Sequence, residues 1–238
     1  MSTPRKTRPS VETLPMFFDD AHRELGKSAE ALADDDTALH DPKRVIPRLA
    51  ELGFCKLLVG QVSVRSLCVA REAIAYVSPL ADSIFAVQGL GSHPMILAGE
   101  AERRSSVLDE VVSGKRVCAF ALTEPEAGSD VAAMKSTARK DGDHWLLDGE
   151  KVFISNVGIA NHYVVFANAD PAAGKKGISA FLVDAQAEGL STEPIAMSVE
   201  HPLGRIAMRQ CRVPASALIG QVGMGLRLAL GTLDVFRT

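Results

Sequence analysis

The chain has 238 residues, 47% hydrophobic and 23% charged, which is ordinary globular usage for about one and a half to two domains and excludes collagen-like, disordered and disulfide-scaffold chains. Twenty-six Lys and Arg against 29 Asp and Glu give a net charge of −3. No basic stripe marks a nucleic-acid binder, and no apolar run approaches the roughly 18 residues of a membrane span.

Met1 to Ser10 is polar, lacks the apolar stretch of a signal peptide and reads as a loose tail. From Leu14 to Ala33 the spacing of Phe17, Phe18, Ala21, Leu25 and Ala29 predicts a helix. Asp41 offers an N-cap and Pro42 suits the first helical position. That helix carries Val45, Ile46, Leu49 and Leu52 on one side and stops at Gly53. Val64 to Val77 is a third helix, with Leu67, Cys68, Arg71, Ile74 and Ala75 in register. After Pro79 a stretch of small residues runs to Gly91, and Glu100 to Ser113 is a further helix with Gly114 just past its end.

The pattern changes at Val117. Val117 to Leu122 is an apolar run of strand length. Asp141-Gly142 and Asp148-Gly149 are two hairpin-type turns flanking His144 to Leu147. Strands fit Glu150 to Ile154, His162 to Ala167, Ile178 to Val183 and Arg205 to Val213. The expected fold class is therefore α+β: a helical domain over residues 1–116, an antiparallel β-barrel or sandwich over 117–220, and the start of another helical unit over 221–238. In that last stretch Leu226, Ala229, Leu230 and Leu233 make a helical stripe with no stop signal after it. Either the helix simply ends the protein, or its partners lie elsewhere; the second is preferred, because the stripe must be buried somewhere.

Four scattered cysteines, Cys55, Cys68, Cys118 and Cys211, have no Cys-x-x-Cys spacing. They read as reduced, buried thiols of a cytoplasmic protein, with no metal site. Gly223-x-Gly225 opens like a dinucleotide fingerprint, but Leu228 stands where a third Gly belongs and no strand feeds it. His93 and His201, each before a proline, read as turn or capping residues rather than ligands. The segment Phe120-Ala121-Leu122-Thr123-Glu124-Pro125-Glu126-Ala127-Gly128-Ser129-Asp130 stands out. Thr123 and Glu126 have the spacing of a capping box opening a short helix. A strand ending in a hydroxyl, followed by Gly-Ser-Asp, also gathers free N–H groups and hydroxyls that can hold an anionic group or the polar edge of a planar cofactor.

This segment closely resembles the signature of the acyl-CoA dehydrogenase family. Further resemblances follow in family order: Leu49 to Phe54, Asp148 to Asn156, Arg212-Val213-Pro214, Ile219 to Gly225, and Leu233-Asp234-x-x-Arg237. The family fold is a helical domain, a β-barrel and a C-terminal four-helix bundle. The resemblance implies FAD as cofactor, contacted by Phe120, Leu122, Thr123, Ser129, Phe153, Ile154 and Ser155. Phe153 stands where Trp is frequent, its face still able to stack; taken alone it would read as a barrel-core aromatic. Ser155 replaces a frequent Thr and keeps the hydroxyl that approaches flavin N5. Ser129, Asp234, Phe236 and Arg237 are implied on the substrate side, although Asp234 and Arg237 are also a plain solvated helix pair.

The implied chemistry is α,β-dehydrogenation of an acyl thioester on CoA or an acyl carrier protein, with an electron-transfer flavoprotein as acceptor and a homo- or hetero-oligomeric state. It requires a carboxylate base in a dry site. The family's base is a Glu of the bundle or a residue just before the matching Arg, where this chain has Phe236. No catalytic residue is therefore assigned within the chain, and the bundle is expected from elsewhere. Gly60 to Val64 departs from the family's Pro/Gly/Glu-rich turn. A non-catalytic flavin- or acyl-binding subunit and a flavin monooxygenase remain alternatives.

Overall fold

The computed structural model describes residues 10–29, 32 and 36–237. The expected tail lies outside them, apart from Ser10. The first helical segment is not continuous. A one-turn helix α1 (Ser10–Thr13) is followed by a 3-10 turn at Pro15–Phe17 and then by α2 (Asp20–Ala29). Pro15 disfavours helical backbone at Leu14. The Asp19 carboxylate accepts from the His22 N–H at 3.2 Å and starts the chain afresh. Residues 30, 31 and 33 of the expected helix lie outside the described set.

Asp41 accepts from the Lys43 N–H in a turn leading to α3 (Val45–Glu51), and Gly53 stops that helix in left-handed backbone, φ 85°. Helix α4 (Val64–Val77) has the expected bounds, with Ser63 accepting from the Ser66 N–H. The small-residue stretch after Pro79 is instead a 19-residue helix, α5 (Pro79–Leu97), capped by Ser78. It is buried on nearly every side, so it shows no amphipathic period. Its glycines are contact points: a Cβ at Gly91 would lie 2.5 Å from Cys118 Cβ, and one at Gly89 2.1 Å from the Phe236 ring. Helix α6 (Ser105–Val112) starts five residues later than the sequence pattern suggests.

The strands are β1 (Cys118–Ala121), β2 (Thr137–Asp141), β3 (His144–Ser155), β4 (His162–Asn168), β5 (Ile178–Asp184), β6 (Leu190–Pro194), β7 (Leu203–Pro214) and β8 (Leu218–Ile219). The hairpin between β2 and β3 forms, but its two turn residues are Gly142, at φ 57°, and Asp143, while Asp141 pairs with His144. Asp148-Gly149 does not turn: β3 continues through it with a register shift against β7, because the long β7 pairing outweighs the local turn preference.

The expected closed antiparallel barrel is not what forms. The sheet is open and mixed, in the order β6-β7-β3-β2-β4-β5-β8, with β1 joined to β4 in parallel. Parallel pairings bring together segments distant in sequence, so no hairpin motif announces them. The sheet's interior cluster includes Trp145, whose ring meets Phe181 edge-on at 5.4 Å.

Helix α7 (Gly225–Phe236) lies on α5 and β5. Leu228, Ala229, Thr232 and Phe236 are buried there, so this face finds its partners within the chain; Leu230 is exposed. Among the described residues no helix is long and apolar enough to cross a membrane, and no group of His, Cys, Asp and Glu could hold a metal. All four cysteines are free; Cys55, Cys118 and Cys211 are buried as expected, but Cys68 is exposed on α4.

Candidate functional site

A cavity of about 570 Å³ opens where β1 and the turn after it, the end of β3, α5 and α7 converge. That volume lies within the range of small-molecule sites. Its lining includes Phe120, Leu122, Thr123 and Ser129 from the first motif and Phe153, Ile154 and Ser155 from the second. Helix α5 adds Val87 and Leu90, and the C-terminal helix adds Leu230, Leu233 and the following Arg237. The structure thus brings all seven sequence-derived cofactor residues to one cavity. Of the residues assigned to the substrate side, Ser129 and Arg237 reach the cavity. Asp234 is exposed elsewhere on α7, and Phe236 is buried beneath that helix, its ring 5.2 Å from His93.

The first wall is not a capped helix. Glu124 to Ala127 form a tight turn, closed by Glu124 N–H to Ala127 O at 3.1 Å and Ala127 N–H to Glu124 O at 3.2 Å. Pro125 presets its second position. The expected Thr123–Glu126 capping box is absent because Glu126 points to solvent while Glu124 turns inward. Glu124 accepts from the Lys135 and Ser136 backbone N–H groups at 2.5 and 3.0 Å.

The second wall is tied directly to the first. Val152 N–H donates to Thr123 O at 2.9 Å. The Lys151 ammonium, with 0% exposure, donates to Leu122 O at 3.1 Å and Glu124 Oε1 at 2.8 Å. Burial lowers the Lys151 pKa to about 8, against the opposing pull of Glu124. Burial would raise the Glu124 carboxyl, but the Lys151 charge and hydrogen bond and the Ser136 and Lys135 donors bring it below its usual value. Asn156 adds a third tie, its side-chain amide donating to Cys118 O at 2.8 Å.

Between Lys151 and Ile154 the pairing of β3 with β7 shifts register. Phe153 sits in that interval with φ 58° and 64% exposure. A bulky side chain in left-handed backbone is strained, and such strain gathers at ligand sites. Phe153 is therefore not the barrel-core aromatic that an isolated reading would make it. Val152 and Ile154 beside it are buried and anchor the strand.

His201 and His93 are placed differently from a turn or capping residue. His93 lies buried inside α5. His201 shares hydrogen bonds with Ser155 Oγ at 3.0 Å and Ser83 Oγ at 3.3 Å. Glu124, Lys151 and His201 were not legible as site residues. Lys151, directly before the apolar run Val152-Phe153-Ile154, is the one available signal, since a buried lysine requires a partner.

The family description "Acyl-CoA dehydrogenase, middle domain" matches residues 119–211. The probable acyl-CoA dehydrogenase FadE25 of Mycobacterium tuberculosis is 34% identical over 232 residues, covering 90% of this chain and 59% of that protein. The chain belongs to the acyl-CoA dehydrogenase family. The caffeyl-CoA reductase-Etf complex subunit CarC of Acetobacterium woodii is 33% identical over 93% of this chain and 64% of its own length. This acyl-CoA dehydrogenase family chain thus spans about six-tenths of the length of the curated relatives it matches. A solved acyl-CoA dehydrogenase from Bacillus anthracis, complexed with FAD, superposes with a TM-score of 0.82 at 26% identity, covering 94% of this chain and 41% of that one.

Proposed function

We propose that this chain is the flavin-binding part of an FAD-dependent oxidoreductase that desaturates an acyl thioester between its α and β carbons. The observation that carries this reading is the hydrogen-bonded meeting of the Thr123 turn and the Phe153 strand at one cavity. The residues present suit a flavin. Phe153 offers a strained, 64% exposed aromatic face, which a planar ring system would cover. Thr123, Ser129 and Ser155 supply hydroxyls around it, and Arg237 supplies a cation at the rim. The relative solved with FAD supports the same cofactor.

A bound flavin supplies a two-electron acceptor for the hydride leaving the β carbon. This chain's residues do the rest. Val87, Leu90, Leu122, Val131, Leu230 and Leu233 give the cavity apolar surface that a bound ligand would cover and so shield from water. Ser129 and Arg237 would hold the carrier arm of CoA or an acyl carrier protein. Phe236 acts from beneath, seating α7 against α5. The α proton needs a base, and among the described residues the lining contains no Asp, Glu or His side chain, so we place the base in polypeptide outside these residues, in a C-terminal bundle. We keep the division into a helical unit over 1–116, a sheet unit over 117–220 and the start of a further helical unit from 221. An electron-transfer flavoprotein as acceptor finds support in the Etf-complex relative. Reduced cysteines support a cytoplasmic location.

Titration of the chain with FAD, followed by flavin fluorescence, tests the cofactor. Anaerobic addition of an acyl-CoA to the FAD-loaded protein completed by its bundle tests the reaction by bleaching of the flavin absorbance. Saturable FAD uptake lost in Phe153→Ala is expected. A chain that leaves FAD fluorescence unchanged at every concentration would overturn the reading.

A further inference from the structure

A chain of three polar side chains runs from the cavity wall into α5. Ser155 Oγ shares a hydrogen bond of 3.0 Å with His201 Nε2, and His201 Nδ1 shares one of 3.3 Å with Ser83 Oγ. The three come from β3, the segment before β7, and α5. Only Ser155 lines the cavity; Ser83 and His201 are half-buried behind it.

Burial lowers the His201 pKa, so near neutral pH one ring nitrogen carries a proton and the other does not. Two arrangements follow. With the proton on Nδ1, that N–H donates to Ser83 Oγ, and Nε2 accepts from the Ser155 hydroxyl. Ser155 then presents only lone pairs to the cavity. With the proton on Nε2, that N–H donates to Ser155 Oγ, the Ser83 hydroxyl donates to Nδ1, and the Ser155 O–H is free to donate into the cavity. The net charge is the same in both.

We propose that His201 is a positioning residue whose tautomer, coupled to the orientation of the Ser83 hydroxyl, decides whether Ser155 presents a donor or an acceptor to the ligand. The ligand's identity rests on the flavin reading. A ring nitrogen that is bare when oxidised and carries N–H when reduced calls for a donor in one state and an acceptor in the other, and the Ser155 hydroxyl serves both.

The test uses two readouts. Isotope-labelled histidine reports the protonation of the His201 ring nitrogens by NMR in the chain without cofactor; Ser83→Ala and Ser155→Ala are expected to change its tautomer ratio. The affinities for oxidised and reduced FAD are then compared. His201→Leu is expected to change their ratio about tenfold, the worth of one hydrogen bond, which is about 30 mV in a two-electron midpoint. His201→Gln, whose amide also offers a donor and an acceptor, should restore most of it. If His201→Leu does not fold, Ser83→Ala carries the affinity comparison. Unchanged ring signals in both serine variants, or an unchanged affinity ratio, overturn the proposal. A wild-type chain that takes up no FAD overturns the flavin reading instead, and the NMR comparison still judges the hydrogen-bond chain.

Discussion

Lys151 Nζ lies 2.8 Å from Glu124 Oε1, and both side chains are withdrawn from water. The pair joins the turn that presents Thr123 to the strand that presents Phe153, so it sets the spacing of the two cavity walls. Its parts are unequally protected. Glu124 retains two backbone N–H donors if Lys151 is removed, whereas Lys151 retains only the Leu122 carbonyl if Glu124 is removed. Glu124→Ala should therefore destabilise by about 3–5 kcal/mol, the usual penalty for stranding a buried charge, and Lys151→Met by less. Urea unfolding of the two variants checks the order; equal losses would refute the asymmetry.

Acid should act through the same carboxylate. The folded state holds the Glu124 pKa below its unfolded value, so it binds fewer protons than the unfolded chain in that range. Stability from this group is present above the unfolded pKa and is lost as pH falls through the folded one. Glu124→Gln should show a shallower decline of stability between about pH 6 and about pH 3, measured by chemical denaturation at each pH.

Gly89 sets two effects against each other. Alanine within a helix is favoured over glycine by about 1 kcal/mol, but a Cβ here would lie 2.1–2.8 Å from three Phe236 ring atoms. Overpacking of about 1–3 kcal/mol should win, so Gly89→Ala is expected to lower the melting temperature and shift α7. Adding Phe236→Leu should recover part of the loss, which thermal unfolding of the double variant would show.

Phe153 is expected to separate stability from binding. Its φ of 58° and 64% exposure mean that Phe153→Gly removes strain of about 1–2 kcal/mol and little buried contact. The variant should melt higher than the wild type without ligand and bind FAD more weakly. A lower melting point would show that the ring contributes more to packing than its exposure implies.

Thiol chemistry offers a check of the fold itself. Cys68 is exposed while Cys55, Cys118 and Cys211 are buried, and burial raises the Cys55 pKa to about 12 and that of Cys211 to about 11. One thiol per chain should react promptly with an aromatic disulfide reagent. Cys68→Ser should abolish that fast phase, leaving the others to react on unfolding.

Helix α4 and the β2–β3 hairpin were legible because their signals are local: a periodic stripe from Leu67 to Ala75, and a glycine-bearing turn after Asp141. The seven residues proposed for the cofactor came from the family resemblance of two segments, and the structure brings those segments together at one cavity. Helix α5 was hidden because a helix buried all round has no polar face, and its glycines, Ser92 and Pro94 mimic a loop. At Asp148-Gly149 a genuine turn preference was overridden by the pairing of β3 with β7. His201 was set aside as a turn residue because nothing in its neighbours places it against Ser155, 46 residues away.

By itself the sequence determined the helical first half, the strand-rich second half and the residue types at the cavity wall, all properties of short-range pattern. Tertiary structure alone decided that the sheet stays open with a parallel β1–β4 pair, that Glu124 faces inward to Lys151, and that Phe236 lies beneath α7 rather than in the cavity. The physical reason is that each outcome depends on partners brought together only when the chain closes, where desolvation and steric fit outweigh local propensity.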